Sequence, residues 1–441
     1  MQPQEQQEPS SQSSFFASLV YRDYRCLWVA TACGQAALWA LVVLRGALVY
    51  ELTNSNAWVG FVTMAAHLPS LVVTPFAGFL ADRFERRHLL ALTFSLNLGA
   101  NLLLACLVIS GQVTAWVILT LALFNGIVRA IEVPTNQALL PNLVPRERLL
   151  NAIALNQLMQ QGARMFGPLC ILPIIRFIDP KPAFFMSALL YAVGWIQVLR
   201  IQTASRGEMV AHQGVFGNLV AGIRYIYTTP VVLAFVLLTV FHCALTMAYE
   251  SAFPFFARTQ LSMTSAKDLF EGPTYLMIGV GAGAILGNLA LARVSGQLIR
   301  GRLFLWVGFL SGMTPLMFGS TTTLSMAMLT AATMGASTAA FMTLSHSVIQ
   351  GLAPDGIRGR VMSANTWHVQ GAMSGFNAVN GLLMDVPWMT AFLLLGGSGM
   401  LFVVIVVGSL FTVHLRTIYR HGVSSEALAV AHAPQEIRSR R

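Results

Sequence analysis

The sequence predicts an all-α membrane protein, with twelve transmembrane helices arranged as two pseudo-symmetric bundles of six. Three observations predict it. The chain is 56% hydrophobic and only 10% charged over 441 residues. A soluble protein carries about 25% charged residues, so this chain lacks the polar surface to cover itself in water. Its apolar residues gather into twelve runs, each close to the roughly 20 residues that cross a bilayer. The second six runs also repeat the first six at a fixed offset.

The runs lie at 26–50, 57–80, 88–110, 114–136, 151–176, 182–200, 229–255, 272–293, 303–320, 323–347, 359–384 and 387–413. Laid out as alternating spans, they sort the basic residues. Twenty of the 27 Lys and Arg residues fall on one side and four on the other. The remaining three, Arg45, Arg129 and Arg164, lie inside spans. Cytoplasmic loops carry the excess of Lys and Arg, so both termini are expected in the cytoplasm, and an odd number of spans would spoil the sorting. Residues 1–21 read as a disordered cytoplasmic tail, poor in apolar residues, with no cleavable signal. Residues 22–200 and 229–415 form the two bundles, 201–228 a cytoplasmic central loop and 416–441 a second tail. The five cysteines fall in or beside spans without paired spacing, and read as packing residues, neither disulfides nor metal ligands.

The repeat has an offset of 209. Leu143-Val-Pro145 matches Leu352-Ala-Pro354, Asn156 matches Asn365, and Gln161-Gly162-Ala163 matches Gln370-Gly371-Ala372. Gly78 matches Gly287. Parallel half-repeats of this kind place a substrate site between the halves near the bilayer midplane.

The short link Gly78-Phe-Leu-Ala-Asp82-Arg83-Phe-Glu-Arg86-Arg87 joins the second and third runs. This Gly-x-x-x-Asp-Arg-x-x-Arg-Arg pattern strongly resembles the signature loop of the major facilitator superfamily of transporters, with Glu85 where that family usually has Gly. Glu132-Val-Pro134-Thr-Asn-Gln-Ala138, leading into Pro141-Asn-Leu-Val-Pro145, resembles the fourth helix of the enterobactin-exporter and macrolide-efflux branch. There Asp stands for Glu132 and Arg for Asn136. Gly167-Pro168 resembles half of the exporter motif on helix 5. Asn125-Gly126 resembles the Gln-Gly of the helix-4 motif, whose arginine slot is Ala122 here. The resemblance covers about residues 20–415 and implies the major facilitator fold, alternating access and a bacterial inner (plasma) membrane location.

The charged residues can be read on their own chemistry. Asp82, among Arg83, Arg86 and Arg87, is placed to latch the two halves by pairing with cations or capping a facing helix N-terminus. Glu132 is the expected partner of Arg83 or Arg87 in that latch. The opposing reading is that these charges only set topology. Charges inside spans are costly and functional by default. Arg45 and Glu250 lie at matching depth on symmetry-related runs, which suggests a direct pair at an outer gate, against simple snorkelling. Arg164 lies about 20 Å deep, as a substrate-binding cation or as half of an internal ion pair. Arg129 can pair with Glu132 three residues on. Glu250, His242 and His368 are candidate proton carriers, though packing histidines are commoner. Gly279, Gly283 and Gly287, spaced by four, favour close helix packing, expected to be a sliding contact. Asn97, Asn101, Gln157, Gln160, Asn377 and Asn380 are amides available to line a path.

No Gly-x-x-x-x-Gly-Lys-Ser/Thr loop is present, so ATP drive is not expected and an ion gradient remains. The expectation is a secondary transporter, not an enzyme, without cofactor or metal and without nucleic-acid partners. It would work as a monomer in the lipid bilayer, exporting a siderophore or drug-like amphiphile by proton antiport. The alternatives are an importer or lipid flippase of the same fold, or a polytopic membrane enzyme. The last is disfavoured by loops that lack a metal-binding cluster.

Overall fold

A computed structural model describes residues 16–206, 215–292, 297–354 and 356–412. The described residues form helices and turns without any strand, as the bilayer requires of an open chain, since a helix pairs its backbone groups within one segment. The N-terminal half holds α1 (Arg22–Thr53), α2 (Asn56–His67), α3 (Pro69–Arg83), α4 (Arg86–Ile109), α5 (Ala115–Leu139), α6 (Leu149–Phe177) and α7 (Ala183–Leu199). A short α8 (Val215–Thr228) leads into the C-terminal half. That half holds α9 (Pro230–His242), α10 (Phe253–Thr259), α11 (Asp268–Ala292), α12 (Gln297–Gly319), α13 (Leu324–Leu352), α14 (Arg358–Met384) and α15 (Gly397–Ser409).

Several of these helices join into one span. α2 runs into α3 through Leu68, which keeps helical angles, with Pro69 at the start of the second piece. α9 and α10 are linked by a π-turn at Cys243–Met247, a break at Ala248 and a 3-10 turn at Glu250–Ala252. The carbonyl freed at Ala248 accepts a 2.7 Å hydrogen bond from Asn380 Nδ2, which satisfies a backbone group the helix no longer pairs. A second π-turn, Phe392–Gly396, opens the last span.

Among the described residues nine helical stretches are long and apolar enough to cross a membrane, and Ala183–Leu199 is a shorter apolar helix. Two further helices, α6 and α14, have the length at 29 and 27 residues. They are the helices richest in amides, and their lower apolarity, with the shortness of Ala183–Leu199, separates the observed nine from the expected twelve. They also occupy equivalent places in the repeat. Asn156 on α6 and Asn365 on α14 are both buried.

Within the N-terminal half α1 packs on α6 and α7, and α4 on α5 and α7. Within the C-terminal half α11 packs on α13, and α12 on α13 and α15. The halves meet through α2 against α14 and α6 against α11. The N-terminal half ends its first helix with Asn54 in the left-handed region, at φ 49, a conformation that asparagine tolerates.

Two boundaries differ from the sequence expectation. The central segment 201–228 is not all loop, because α8 packs on α14 and on α3. Nor is the end of the first tail loose. Residues Ala17–Val20 form a 3-10 turn, anchored where Ser18 Oγ donates to Asn151 Oδ1 at 2.7 Å. The second tail, from 413 on, lies outside the described residues.

Candidate functional site

A chain of polar side chains crosses the interior of the N-terminal half. Arg45, on α1 and 5% exposed, donates through Nη2 to Asn125 Oδ1 on α5 and, at 3.2 Å, to Asn101 Oδ1 on α4. Asn125 Nδ2 donates to Asn97 Oδ1 at 2.7 Å. Asn97 Nδ2 then donates to Glu132 Oε2 at 3.0 Å. Each amide turns its carbonyl toward the cation and its NH2 toward the carboxylate. Arg45 and Glu132 therefore form an ion pair bridged by two amides. This arrangement satisfies groups that would otherwise be expensive in hydrocarbon.

This corrects two expected contacts. Glu132 is 7% exposed and two turns short of the end of α5, so it lies inside the bundle and does not meet the loop arginines. Arg45 does not reach Glu250. Glu250 instead meets His67 across the halves, with Oε2 3.5 Å from Nε2. Arg45 turns into its own half, where Asn101 and Asn125 accept from it.

Arg129 and Arg164 sit at mid-length of α5 and α6 and remain partly exposed. The Arg164 guanidinium lies over the Trp39 ring, 4.6 Å from its centroid. It also acts electrostatically on Cys243 and Tyr249 of the opposite half. Arg129 lies within electrostatic reach of Tyr191, Glu132, Glu250 and Arg164. No direct Arg129–Glu132 ion pair within 4.0 Å is present.

At the end of the bundle away from the termini, the halves are tied together. Asp385, which follows α14, accepts from four donors at the start of α2. Oδ1 accepts from Asn56 N at 2.8 Å and Asn56 Nδ2 at 3.0 Å. Oδ2 accepts from Ser55 Oγ at 2.6 Å and Ala57 N at 3.0 Å. Ser55, the residue before α2, makes no side-chain cap of its own, so the cap comes from the other half. Below it, Gly60 and Gly381 bring α2 and α14 together so closely that a Cβ on Gly60 would lie 2.6 Å from the Asn377 carbonyl oxygen. Arg258 Nη1 donates to Asn54 Oδ1 at 3.0 Å and to Tyr50 Oη at 3.3 Å. Lys267 Nζ donates to the Arg176 carbonyl, and Arg176 Nη1 to Tyr275 Oη.

At the opposite end the signature-loop arginines serve their own half and the segment that follows α7. Arg86 Nη1 donates to the Ala138 carbonyl at 3.1 Å and to Ser205 Oγ at 3.2 Å. Arg87 Nη1 donates to the Gln202 carbonyl at 3.1 Å, and its Nε pairs with Glu85. Glu85 is thus the carboxylate that Arg87 uses, in place of the expected Glu132. Arg83 is exposed, and the Asp82 side chain lies outside the described residues.

The candidate proton carriers fare differently. His242 is fully buried, stacked on Phe341 at 4.2 Å and edge-on to Phe402, with Nε2 2.8 Å from Ser311 Oγ. That is the packing of a core residue. His368 is half-buried, with Nδ1 2.7 Å from the Ala364 carbonyl and Nε2 3.4 Å from Tyr227 Oη. The glycine stripe on α11 packs within its own half. A Cβ on Gly283 would lie 1.7 Å from the Ala332 carbonyl oxygen, and Gly279 and Gly287 face Met328 and Ala336 in the same way. That is the close helix packing that the spacing of four favours. Gly167, followed by Pro168, meets the Ala36 carbonyl of α1 equally closely.

The sequence reading missed Asp385, His67 and Asn125 as contact residues. The signal for Asp385 was a helix start, Ser55-Asn-Ala, without an acidic residue in its first turn. No local pattern marks His67.

Comparison with known proteins agrees with this architecture. The nucleoside transporter NupG superposes with a TM-score of 0.70 at 12% identity, over 88% of this chain and 99% of that one. A bacterial homolog of the human lysosomal transporter Spinster superposes with 0.62 at 12% identity, over 94% and 99%. In sequence, the staphyloferrin A transporter of Staphylococcus aureus is 27% identical over 143 residues, 32% of this chain and 36% of that protein. Macrolide efflux protein A of Streptococcus pyogenes is 24% identical over 152 residues, 34% and 38% of the two chains. The chain thus matches about a third of the length of these curated relatives. The model of the family described as transmembrane secretion effector matches residues 13–435, and the chain belongs to that family of major facilitator transporters.

Proposed function

We propose that this protein is a proton-coupled exporter of the bacterial inner membrane that moves a siderophore or drug-like amphiphile by alternating access. Both termini face the cytoplasm in this reading, the end bearing Asp385 and Arg258 faces outward, and the protein acts as a monomer. The observation that supports it best is the contrast along the interface of the halves. The outward end is tied by Asp385, while Arg129 and Arg164 at mid-height keep partial exposure. A closed outer end over accessible central charges is one state of an alternating-access cycle. The printed names of the relatives, a staphyloferrin A transporter and a macrolide efflux protein, favour a siderophore or drug as cargo. Glu250 is the acid best placed to carry a proton, because it is 7% exposed and joins the halves through His67, so its charge bears on their separation.

The test is transport in inside-out vesicles, with a panel of siderophores and macrolides, with and without an acidic lumen. Accumulation that requires the acid lumen is expected. Accumulation only in right-side-out vesicles would make the protein an importer, and indifference to the pH gradient would remove the proton.

A further inference from the structure

The core charges are unbalanced. Three guanidiniums, Arg45, Arg129 and Arg164, stand deep in the spans against two carboxylates, Glu132 and Glu250. The charge of Arg45 is shared along the amide chain to Glu132. Glu250 is turned to His67. Arg129 and Arg164 are left as neighbours of like sign, close enough to act on each other. Neither makes a carboxylate contact within 4.0 Å among the described residues. Arg164 has instead the face of Trp39 at 4.6 Å, a contact that offsets only a small part of the cost of an unpaired charge in a low-dielectric interior. A like-charge pair at mid-bilayer persists only if something of opposite sign visits it, or if water reaches it. Both residues keep partial exposure.

We propose that Arg129 and Arg164 together form an anion site, which takes a carboxylate or similar oxyanion of the transported molecule. Two guanidiniums, one on α5 and one on α6, carry planar N–H forks, the donor geometry that carboxylates accept bidentately. Trp39 supplies an apolar face beside them. Tyr249, on the opposite half, lies within electrostatic reach of Arg164. One negative charge would bring the three-to-two imbalance to neutrality, which lowers the cost of closing the site away from water. Arg129 thereby gains a role in place of the expected local pairing with Glu132.

The inference rests on the transporter reading for its meaning, but it is tested by binding alone. Purified protein in phosphatidylcholine nanodiscs would be titrated with citrate, phosphate and sulfate, and with triethyl citrate as the uncharged control. Binding is read by calorimetry and by thermal stabilisation. At least one of the three anions should bind, while triethyl citrate should not stabilise. Arg129→Gln and Arg164→Gln should each weaken that binding at least tenfold. Arg164→Lys, which keeps the charge but loses the fork and the planar stack on Trp39, should weaken binding less than Arg164→Gln, and Arg258→Gln at the far end should leave binding unchanged. Failure of all three anions to bind, or wild-type binding in either Gln variant, would overturn the site. Loss of anion binding on changing to phosphatidylglycerol nanodiscs would identify a lipid headgroup as the occupant and overturn the assignment to cargo. Anion binding that persists while vesicles show no export would instead sink the exporter reading and leave the site standing.

Discussion

Asp385→Ala removes the cap that one half places on the first turn of a helix in the other. Four hydrogen bonds disappear together, two of them from the backbone N–H groups of Asn56 and Ala57. Loss of an N-cap costs about 0.5–2 kcal/mol, and a charge at a helix N-terminus adds about 0.3–1 kcal/mol when exposed. Asp385 stands at an exposed rim, so the low end applies, about 1–2 kcal/mol, a factor of roughly 5–30 in the ratio of closed to open. The assay is pulsed electron spin resonance between labels at Gln112 and Thr322, exposed far-end positions of the two halves, in a background without the five native cysteines. A longer-distance population should grow in Asp385→Ala, and to a lesser degree in Asp385→Asn, which keeps one acceptor oxygen. The pH behaviour follows from the sign of the shift. Burial against the other half raises the Asp385 pKa, but the hydrogen bonds from Ser55, Ala57 and Asn56 outweigh it and hold the carboxyl below the ordinary aspartate range. Its contribution to closure is therefore complete above that ordinary range and is lost only as the pH falls through the depressed value. Between pH 5 and 8 the distance distribution should not respond through this group. An unchanged distribution in Asp385→Ala at neutral pH would refute the reasoning.

Other outcomes follow from the same contacts. The double exchange Arg45→Glu with Glu250→Arg should recover no transport over the worse single variant, because Arg45 is held by Asn101 and Asn125; recovery would show that the two meet in another state. His67→Gln should reproduce much of the transport defect of Glu250→Gln, and normal transport in His67→Gln would remove that contact from the mechanism. His242→Asn should lower the thermal midpoint by several degrees, as loss of about 1–3 kcal/mol of core packing does, while coupled transport survives; the reverse pattern would restore His242 as a proton carrier. Reporter fusions at residues 54, 111, 180, 266 and 321 should report the outer side, and cytoplasmic signals at two or more of them would break the topology.

The fold was legible because it rests on averages over many residues. Composition, run length and the 209-residue register each sum dozens of weak signals. Asn156 and Asn365 show how far the register carries, since both are buried at equivalent places. The contacts were less legible because they depend on where a long side chain turns. Arg45 was given the wrong partner. A guanidinium on a stem of several bonds reaches either half from the same Cα, and three asparagines on α4 and α5 decide the matter. Glu132 was drawn toward the loop arginines by its place near the end of a run, yet two helical turns, about 10 Å, are enough to separate it from them. Asp385 was overlooked because a cap supplied from another helix leaves no pattern within either segment. Its two partners are about 330 residues apart.

The two halves, though repeated in sequence register, divide the chemistry unequally. Arg45, Arg129, Glu132 and Arg164 all belong to the first half. The single deep carboxylate of the second, Glu250, is turned back toward His67 of the first. Where the first half has an amide chain, the second has stacked rings: Phe304 lies 4.7 Å from Phe341 and Phe235 4.9 Å from Phe304, and the backbone of α13 is interlocked against Gly283. Rings and interlocked backbone resist deformation, because a packed interior has few alternative arrangements. Charges on flexible stems can re-pair at little steric cost. The expectation is that the second half moves as a body and that the first changes partners as it moves. Substitutions should separate accordingly. Phe341→Leu should cost about 1–3 kcal/mol of stability with the same preference among substrates, whereas Asn125→Leu, which cuts the link between Arg45 and Glu132, should alter which substrates are carried. If Phe341→Leu changed the substrate range and Asn125→Leu changed only the melting temperature, the division of labour would be the wrong way round.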